Sequence, residues 1–478
     1  MAKQTDLDIP LTISSLQASY VQGTLTPLQL IKTTLTNLEH RGDDGIWTYT
    51  LPEDSLMQRA MTLMEMSESQ RSQRPLWGIP FSIKDCIDVA GLPTSAACPD
   101  FVYEATRTNP AIQKLLDAGA ILIGKTNLDQ FATGLVGVRT GYTVPHNAFS
   151  KDYISGGSSS GAALSVAHGL VSFAIGTDTG GSGRVPAGYN NIVGLKPTRG
   201  LLSTRHMVAA CRTLDCLSVF ALTAADSQDV LQVAQGFDPE NPYSRPAGMP
   251  PADLSSYQAN QSFRFGVPRP DQREFFGNGD VKSRYQIAID TLTKLGGICV
   301  EIDYAPFLDT NELLFSGPWV AERYASVGDF IDANPDAAFP VISEIIHNAK
   351  EITAATVFEG LYTLETLKRK IQPLWDSIDC LVVPTTGTTY RLDELAAEPL
   401  KLNTHMGYYT NFVNFLDLSA IAIPNGFQSN GIPTGITLIG SPYQEAYLVG
   451  LGDAFHRQQV NQLGATEFTF ADLDKIHH

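Results

Sequence analysis

The chain has 478 residues, 43% of them hydrophobic and 17% charged, which is ample for a large buried core. Its 50 acidic residues outnumber 33 basic ones, giving a net charge of −17. Such a surface repels phosphate backbones and anionic lipid, which argues against nucleic-acid or membrane binding by charge and is otherwise a solubility feature.

The first eight residues contain no apolar run of the signal-peptide kind, and no stretch of about 18 apolar residues is present to span a bilayer. A soluble cytoplasmic protein is expected. Six cysteines (Cys86, Cys98, Cys211, Cys216, Cys299 and Cys380) form no Cys-x-x-Cys pair. They are expected as free, mostly buried thiols in a reducing compartment. Residues 10–40 carry apolar side chains at helical spacing around a turn near Gly23, which predicts two N-terminal helices. Residues 79–83 read as a short apolar strand ending at Lys84-Asp85. Residues 111–118 read as helix and 121–123 as a buried strand. The same alternation continues through 165–175 and 192–195, and argues an α/β fold.

Residues 236–262, rich in Pro, Asn, Ser and Gln, read as a surface excursion. Beyond it, 263–267, 285–295 and 298–302 repeat strand, helix, strand. Residues 310–370 look mainly helical, and 381–384 and 421–424 are buried strands ending at proline. No internal repeat or clear linker is evident, and His477-His478 is given no function.

Two motif matches fail on context. Gly119 to Thr126 fits the P-loop expression, but the residues between its glycines are the apolar strand itself, and a strand cannot wrap a phosphate. Gly157-Ser158-Ser159-Ser160-Gly161 fits a nucleophile elbow, yet the residues before it are mostly polar where a hydrophobic strand is required. The histidines available downstream (His168, His206, His347, His405 and His456) stand in no telling context.

The informative region is 154–200. Ser155 to Ala163 packs three serines between glycines; these either cap an apparent helix over 162–169 or bring backbone close to another chain. Phe173 to Ala187 runs a buried strand into Gly176-Thr177-Asp178-Thr179-Gly180-Gly181-Ser182-Gly183-Arg184. This is either a strand-ending turn with a solvated serine or a nucleophile with an oxyanion hole built from consecutive N–H groups. A nucleophilic Ser182 needs a base, and no histidine is near in sequence. A neutral lysine can serve, although lowering its pKa from about 10.4 to about 7.5 costs about 4 kcal/mol and requires apolar surroundings. Lys84 and Lys125 both qualify, and Lys84 can equally form an ion pair with Asp85 or Asp88.

Together, residues 78–91, 124–134 and 156–200 resemble the amidase signature family. The resemblance implies one α/β domain over residues 1–465, with a mixed β-sheet core flanked by α-helices and a tail at 466–478. It implies no cofactor, no metal and a homodimer. It maps a Ser–cis-Ser–Lys triad onto Ser182, Ser158 and Lys84, with the two serines 24 residues apart and a cis peptide before Ser158. The N–H groups of Thr179, Gly180, Gly181 and Ser182 would hold the oxyanion. Residues 126–137, 182–187, 190–203, 211–216 and 317–323 are similar to the branch that hydrolyses allophanate, a small anionic amide. On that branch Arg323 grips the substrate carboxylate, with Gly134 and residue 315 also at the substrate. Otherwise Arg323 is a surface arginine beside Glu322.

Two departures stand out. Phe315 occupies the position of a family tyrosine eight residues before the arginine, removing a hydrogen bond worth about 0.5–1.5 kcal/mol. Many members of that branch also carry a further C-terminal domain, which does not follow here. Either this is the amidase part alone or the accessory step lies elsewhere. The alternatives are another amidase of the family, the glutaminase subunit of a tRNA amidotransferase, or a non-catalytic binding protein on the same fold.

Overall fold

The computed structural model describes residues 7, 9–246, 257–258, 261–315, 317–459 and 462–476. Eleven strands among these residues form one mixed sheet. They are β1 (Trp47–Thr50), β2 (Pro80–Lys84), β3 (Ile121–Thr126), β4 (Phe173–Thr177), β5 (Val193–Lys196), β6 (Leu217–Ala221), β7 (Phe263–Pro268), β8 (Gly297–Ile302), β9 (Cys380–Pro384), β10 (Ser419–Phe427) and β11 (Pro433–Gly440). Their order in space is β1-β3-β2-β4-β6-β5-β10-β11-β9-β7-β8. At one end β3, β2 and β4 run parallel, and at the other β9, β7 and β8 do. The strands between alternate in direction.

Strands β2 to β6, β9 and β11 are buried along their whole length. Cover on both faces is why they read as continuous apolar runs and not as alternating ones. Parallel neighbours need crossovers, supplied by helices Pro110–Asp117, Ser160–Ala167 and Gly279–Lys294. Helix Pro110–Asp117 starts where its residues dictate. The Asn109 side chain accepts from the N–H groups of Ala111 and Ile112, and Pro110 opens the first turn. Helix Ser160–Ala167 is buried on every side, its small residues allowing close approach to the sheet. Across β2 and β4, the rings of Phe81 and Phe173 stack at 5.1 Å.

Several expectations are refined. The strand at 121–123 runs on to Thr126, so Gly124-Lys125-Thr126 is paired with β1 and β2 and forms no phosphate loop. The two N-terminal helices are Ile13–Gln22 and Pro27–Arg41. β10 does not stop at Pro424 but shifts register there and continues to Phe427, because proline removes a ladder donor without ending the pairing. Residues 466–478, expected as a tail, carry helix Phe470–Ile476. Its Phe470 and Leu473, three apart and so on one helix face, are buried in a cluster with Ile31, Leu63 and Ile121. Much of the 236–262 excursion, and His477-His478, lie outside the described residues. No helix among the described residues is long and apolar enough to cross a membrane. The cysteines are free, and all but Cys299 are buried.

Candidate active site

Lys84 ends β2 and Thr177 ends the neighbouring parallel strand β4. Lys84 Nζ donates to Ser158 Oγ and to Thr177 Oγ1, both at 2.7 Å, and its side chain is fully buried. The ion pair of Lys84 with Asp85 or Asp88 does not form. Register explains why. Ile83 pairs with Lys125, so Lys125 shares a sheet face with Asp85 while Lys84 points to the other face. Lys125 Nζ therefore sits 2.8 Å from Asp85 Oδ1. Asp88 instead accepts from Thr94 Oγ1 and Tyr103 OH, each at 2.8 Å. Of the two candidate bases, Lys125 is paired with a carboxylate and Lys84 meets only hydroxyls. Burial pushes the Lys84 pKa below the ordinary lysine value, while Cys86, Asp129, Asp215 and Asp178 pull it the other way.

Ser158 follows a cis Gly157–Ser158 peptide. The serines here do not serve as helix caps. Ser159 occupies the N-cap of helix Ser160–Ala167 but makes no capping bond. Its Oγ instead donates to the carbonyl of Thr177 at 3.0 Å and accepts from the Thr177 N–H at 3.3 Å, tying the serine loop to the end of β4. Buried Asp129 winds the next segment. It accepts from the N–H groups of Val136, Gly137 and Arg139 at 3.1, 3.0 and 3.0 Å, while its own N–H donates to Ser158 O at 3.1 Å.

Ser182 lies just past β4 and is only 3% exposed, so it is not a solvated turn residue. The turn is wrapped around Asp178. That carboxylate pairs with Arg184 through Nε at 2.8 Å and Nη2 at 2.9 Å, and accepts from Gly181 N (2.8 Å) and Gly183 N (3.1 Å). Arg184 and the N–H bonds draw the Asp178 carboxyl below the usual carboxylate range against the cost of its burial. The N–H of Gly181, one of four expected oxyanion donors, is thus already engaged. Those of Thr179, Gly180 and Ser182 make no hydrogen bond among the described residues.

Arg323 is 2% exposed, not a surface residue beside Glu322. Its Nη1 donates to Thr133 Oγ1 at 2.8 Å, which brings it next to Gly134. Glu322 instead accepts from Thr213, through the N–H at 3.2 Å and Oγ1 at 2.6 Å. Asp215 links this side to the serine turn. It accepts from Thr179 Oγ1 at 2.6 Å, and its pKa, raised by burial, is pulled back by that bond and by the Arg323 charge. The side chain of Phe315 lies outside the described residues.

The histidines are occupied elsewhere. His347 contacts Asp332, His405 contacts Tyr390, His206 contacts Arg205, His168 ends helix Ser160–Ala167, and His456 packs against Phe470. No group of three or more His, Cys, Asp or Glu side chains that could hold a metal occurs among the described residues. The residues that reasoning from sequence missed are Thr177, Asp129, Asp178, Arg184 and Asp215. A charge stranded in a glycine or apolar run, as in Gly176 to Arg184, was the available signal.

Lys84 and Ser158 thus meet at the carboxyl end of β2 and Ser182 follows the carboxyl end of β4, while no hydrogen bond joins the Ser158 and Ser182 side chains among the described residues. The profile of the Amidase family matches residues 30–449. The chain belongs to that family and is an amide hydrolase. It is 39% identical to the urea amidolyase of Saccharomyces cerevisiae over 446 residues, 93% of this chain but 24% of that protein. The chain thus spans about a quarter of the length of that curated relative. It is 31% identical to one component of the glutamyl-tRNA(Gln) amidotransferase of Chloroflexus aurantiacus, covering 94% of this chain and 96% of that one. Among solved structures, allophanate hydrolase of Kluyveromyces lactis superposes with a TM-score of 0.86 at 39% identity, covering 92% of this chain and 72% of that one.

Proposed function

We propose that the chain hydrolyses allophanate with release of ammonia, using Lys84, Ser158 and Ser182. The observation that carries the reading is the Lys84–Ser158 contact at 2.7 Å in a site where burial favours a neutral lysine. Neutral Lys84 takes the Ser158 hydroxyl proton as Ser158 takes that of Ser182. The freed Ser182 oxygen adds to the terminal amide carbonyl. The N–H groups of Thr179, Gly180 and Ser182 hold the resulting oxyanion; Gly181 N–H stays with Asp178 and braces the turn. The proton on the relay passes to the departing nitrogen, the C–N bond breaks, and ammonia leaves a serine ester. Water, deprotonated by the same relay, cleaves that ester and restores Ser182.

Arg323 supplies the cation for the substrate carboxylate, held beside Thr133 and next to Gly134. With Phe315 in place of tyrosine, anchoring rests the more on Arg323. The likeness to allophanate hydrolase supports this choice of substrate, and the free thiols fit a reducing, cytoplasmic setting.

The test is ammonia release from a panel of allophanate, biuret, urea, malonamide, glutamine and aryl amides. Allophanate is expected to lead, and Ser182→Ala to abolish its turnover; full activity in that variant would remove Ser182 from the mechanism. The likeness to the amidotransferase component favours glutamine as the second reading. Preferred turnover of glutamine would select it.

A further inference from the structure

The turn that carries Ser182 is held from outside by residues from the far end of the chain. Asn414, in helix Phe412–Phe415, donates through Nδ2 to the carbonyls of Asp178 at 2.6 Å and Thr179 at 2.9 Å. Thr410 Oγ1 donates to the carbonyl of Gly180 at 2.7 Å. The carbonyl of Gly181 accepts from the N–H groups of Arg184 at 2.9 Å and Val185 at 2.8 Å. Four successive carbonyls are committed in this way. In a planar trans peptide the N–H points opposite to the C=O. Fixing these carbonyls therefore turns the N–H groups of Thr179, Gly180, Gly181 and Ser182 away from their partners.

Asn414 and Thr410 are both fully buried, and Asn414 Oδ1 has no partner among the described residues. A buried amide with one end unsatisfied is a poor packing element. What Asn414 contributes is its two donated bonds. Glycine at 181 is part of the same device. Its φ is +136°, and a Cβ there would lie 2.5 Å from Thr410 Oγ1.

We propose that Asn414 and Thr410 are positioning residues for the oxyanion hole, setting the peptide planes of residues 178–181 so that the N–H groups of Thr179 and Gly180 meet the charge developing on the substrate oxygen. The inference rests on Ser182 as nucleophile. Both residues act through the backbone and touch no reacting atom.

The experiment uses the full chain and the preferred amide of the panel. Asn414→Leu and Thr410→Val each remove the donor at nearly constant volume, and Thr410→Ser keeps it. kcat and KM are measured separately, together with inhibition by benzeneboronic acid, which adds to a serine hydroxyl and places a charged oxygen in the hole. Asn414→Leu is expected to lower kcat about 10- to 100-fold with KM within about threefold, and to weaken the boronic acid by a factor matching kcat. Thr410→Val is expected to lower kcat about tenfold, and Thr410→Ser to restore most of it. Unchanged kcat in Asn414→Leu and Thr410→Val overturns the proposal. So does a loss shared equally by KM with boronic acid inhibition intact. Should Asn414→Leu fail to fold, the Thr410→Val and Thr410→Ser pair decides alone. An inactive Ser182→Ala beside fully active Asn414→Leu and Thr410→Val variants removes only this inference. An active Ser182→Ala removes the nucleophile reading itself.

Discussion

Among the described residues Lys84 has two hydroxyl acceptors and no carboxylate within hydrogen-bond reach, and that governs its proton. Burial drives its pKa below the ordinary lysine value. The kcat/KM of the amidase is therefore expected to rise with pH through an apparent pKa below about 10.4, as the neutral amine becomes populated. Thr177 shifts this limb in a defined direction. An acceptor facing an ammonium favours the charged form. Thr177→Val, which deletes that acceptor, is expected to move the acid limb to lower pH, and a shift to higher pH would exclude the relation. The same lysine affects stability. With the folded pKa depressed, the unfolded chain binds more protons between the two pKa values, so stability rises with pH across that window. Lys84→Met removes the buried amine and is expected to gain about 1–4 kcal/mol at pH 7 while abolishing activity, read by thermal unfolding. For Arg323→Ala, losing a charge-assisted anchor of about 1.5–3 kcal/mol is expected to raise KM for allophanate about 10- to 150-fold. An unaltered KM would free Arg323 from that role.

Among the elements, helix Ile13–Gln22 docks on helix Ala224–Ala234 through one conspicuous bond, from the N–H of Ile13 to Asp226 Oδ1 at 3.2 Å. Asp226 Oδ2 is buried without a hydrogen-bond partner among the described residues, and burial, with Asp229 nearby, pushes its pKa up to about 7. A carboxyl raised in this way stabilises the fold fully below its unfolded pKa of about 3.9 and loses that stabilisation as pH climbs towards 7. Asp226→Asn keeps the acceptor and removes the charge. Its unfolding free energy is expected to exceed that of the parent by a margin that grows from pH 5 to pH 8, up to about 4 kcal/mol. A constant margin would show that Asp226 does not titrate in that range. The same scale shows what could be read in advance. β9 was legible because burial on both faces leaves the apolar run Cys380-Leu381-Val382-Val383, and β2 through Ile79, Phe81 and Ile83. β1, with half-exposed Trp47-Thr48-Tyr49 and exposed Thr50, has no such run. The glycine and serine density marked Ser158 and Ser182. The residues alone left Lys84 and Lys125 open, and only the family resemblance chose Lys84, because the register that separates them depends on which residue of β3 faces Ile83. Asn414 and Thr410 were not legible, because their partners lie more than two hundred residues away.

At the scale of the whole molecule, the net charge of −17 disfavours long contact with tRNA. Ammonia release is accordingly expected not to change when tRNA is added. The homodimer implied by the family resemblance is expected in light scattering as twice the chain mass, and a single-chain mass at working concentration would count against it. The sheet is not laid down in order. β10, at residues 419–427, lies against β5, at residues 193–196. The hydrogen bonds from Asn414 reach the Ser182 turn across 236 residues to Asp178. During synthesis, both serines and the lysine leave the ribosome long before the residues that aim the turn. A nascent chain therefore carries the proposed nucleophile unarmed, and hydrolytic competence is expected only once Thr410 and Asn414 have emerged and folded into place.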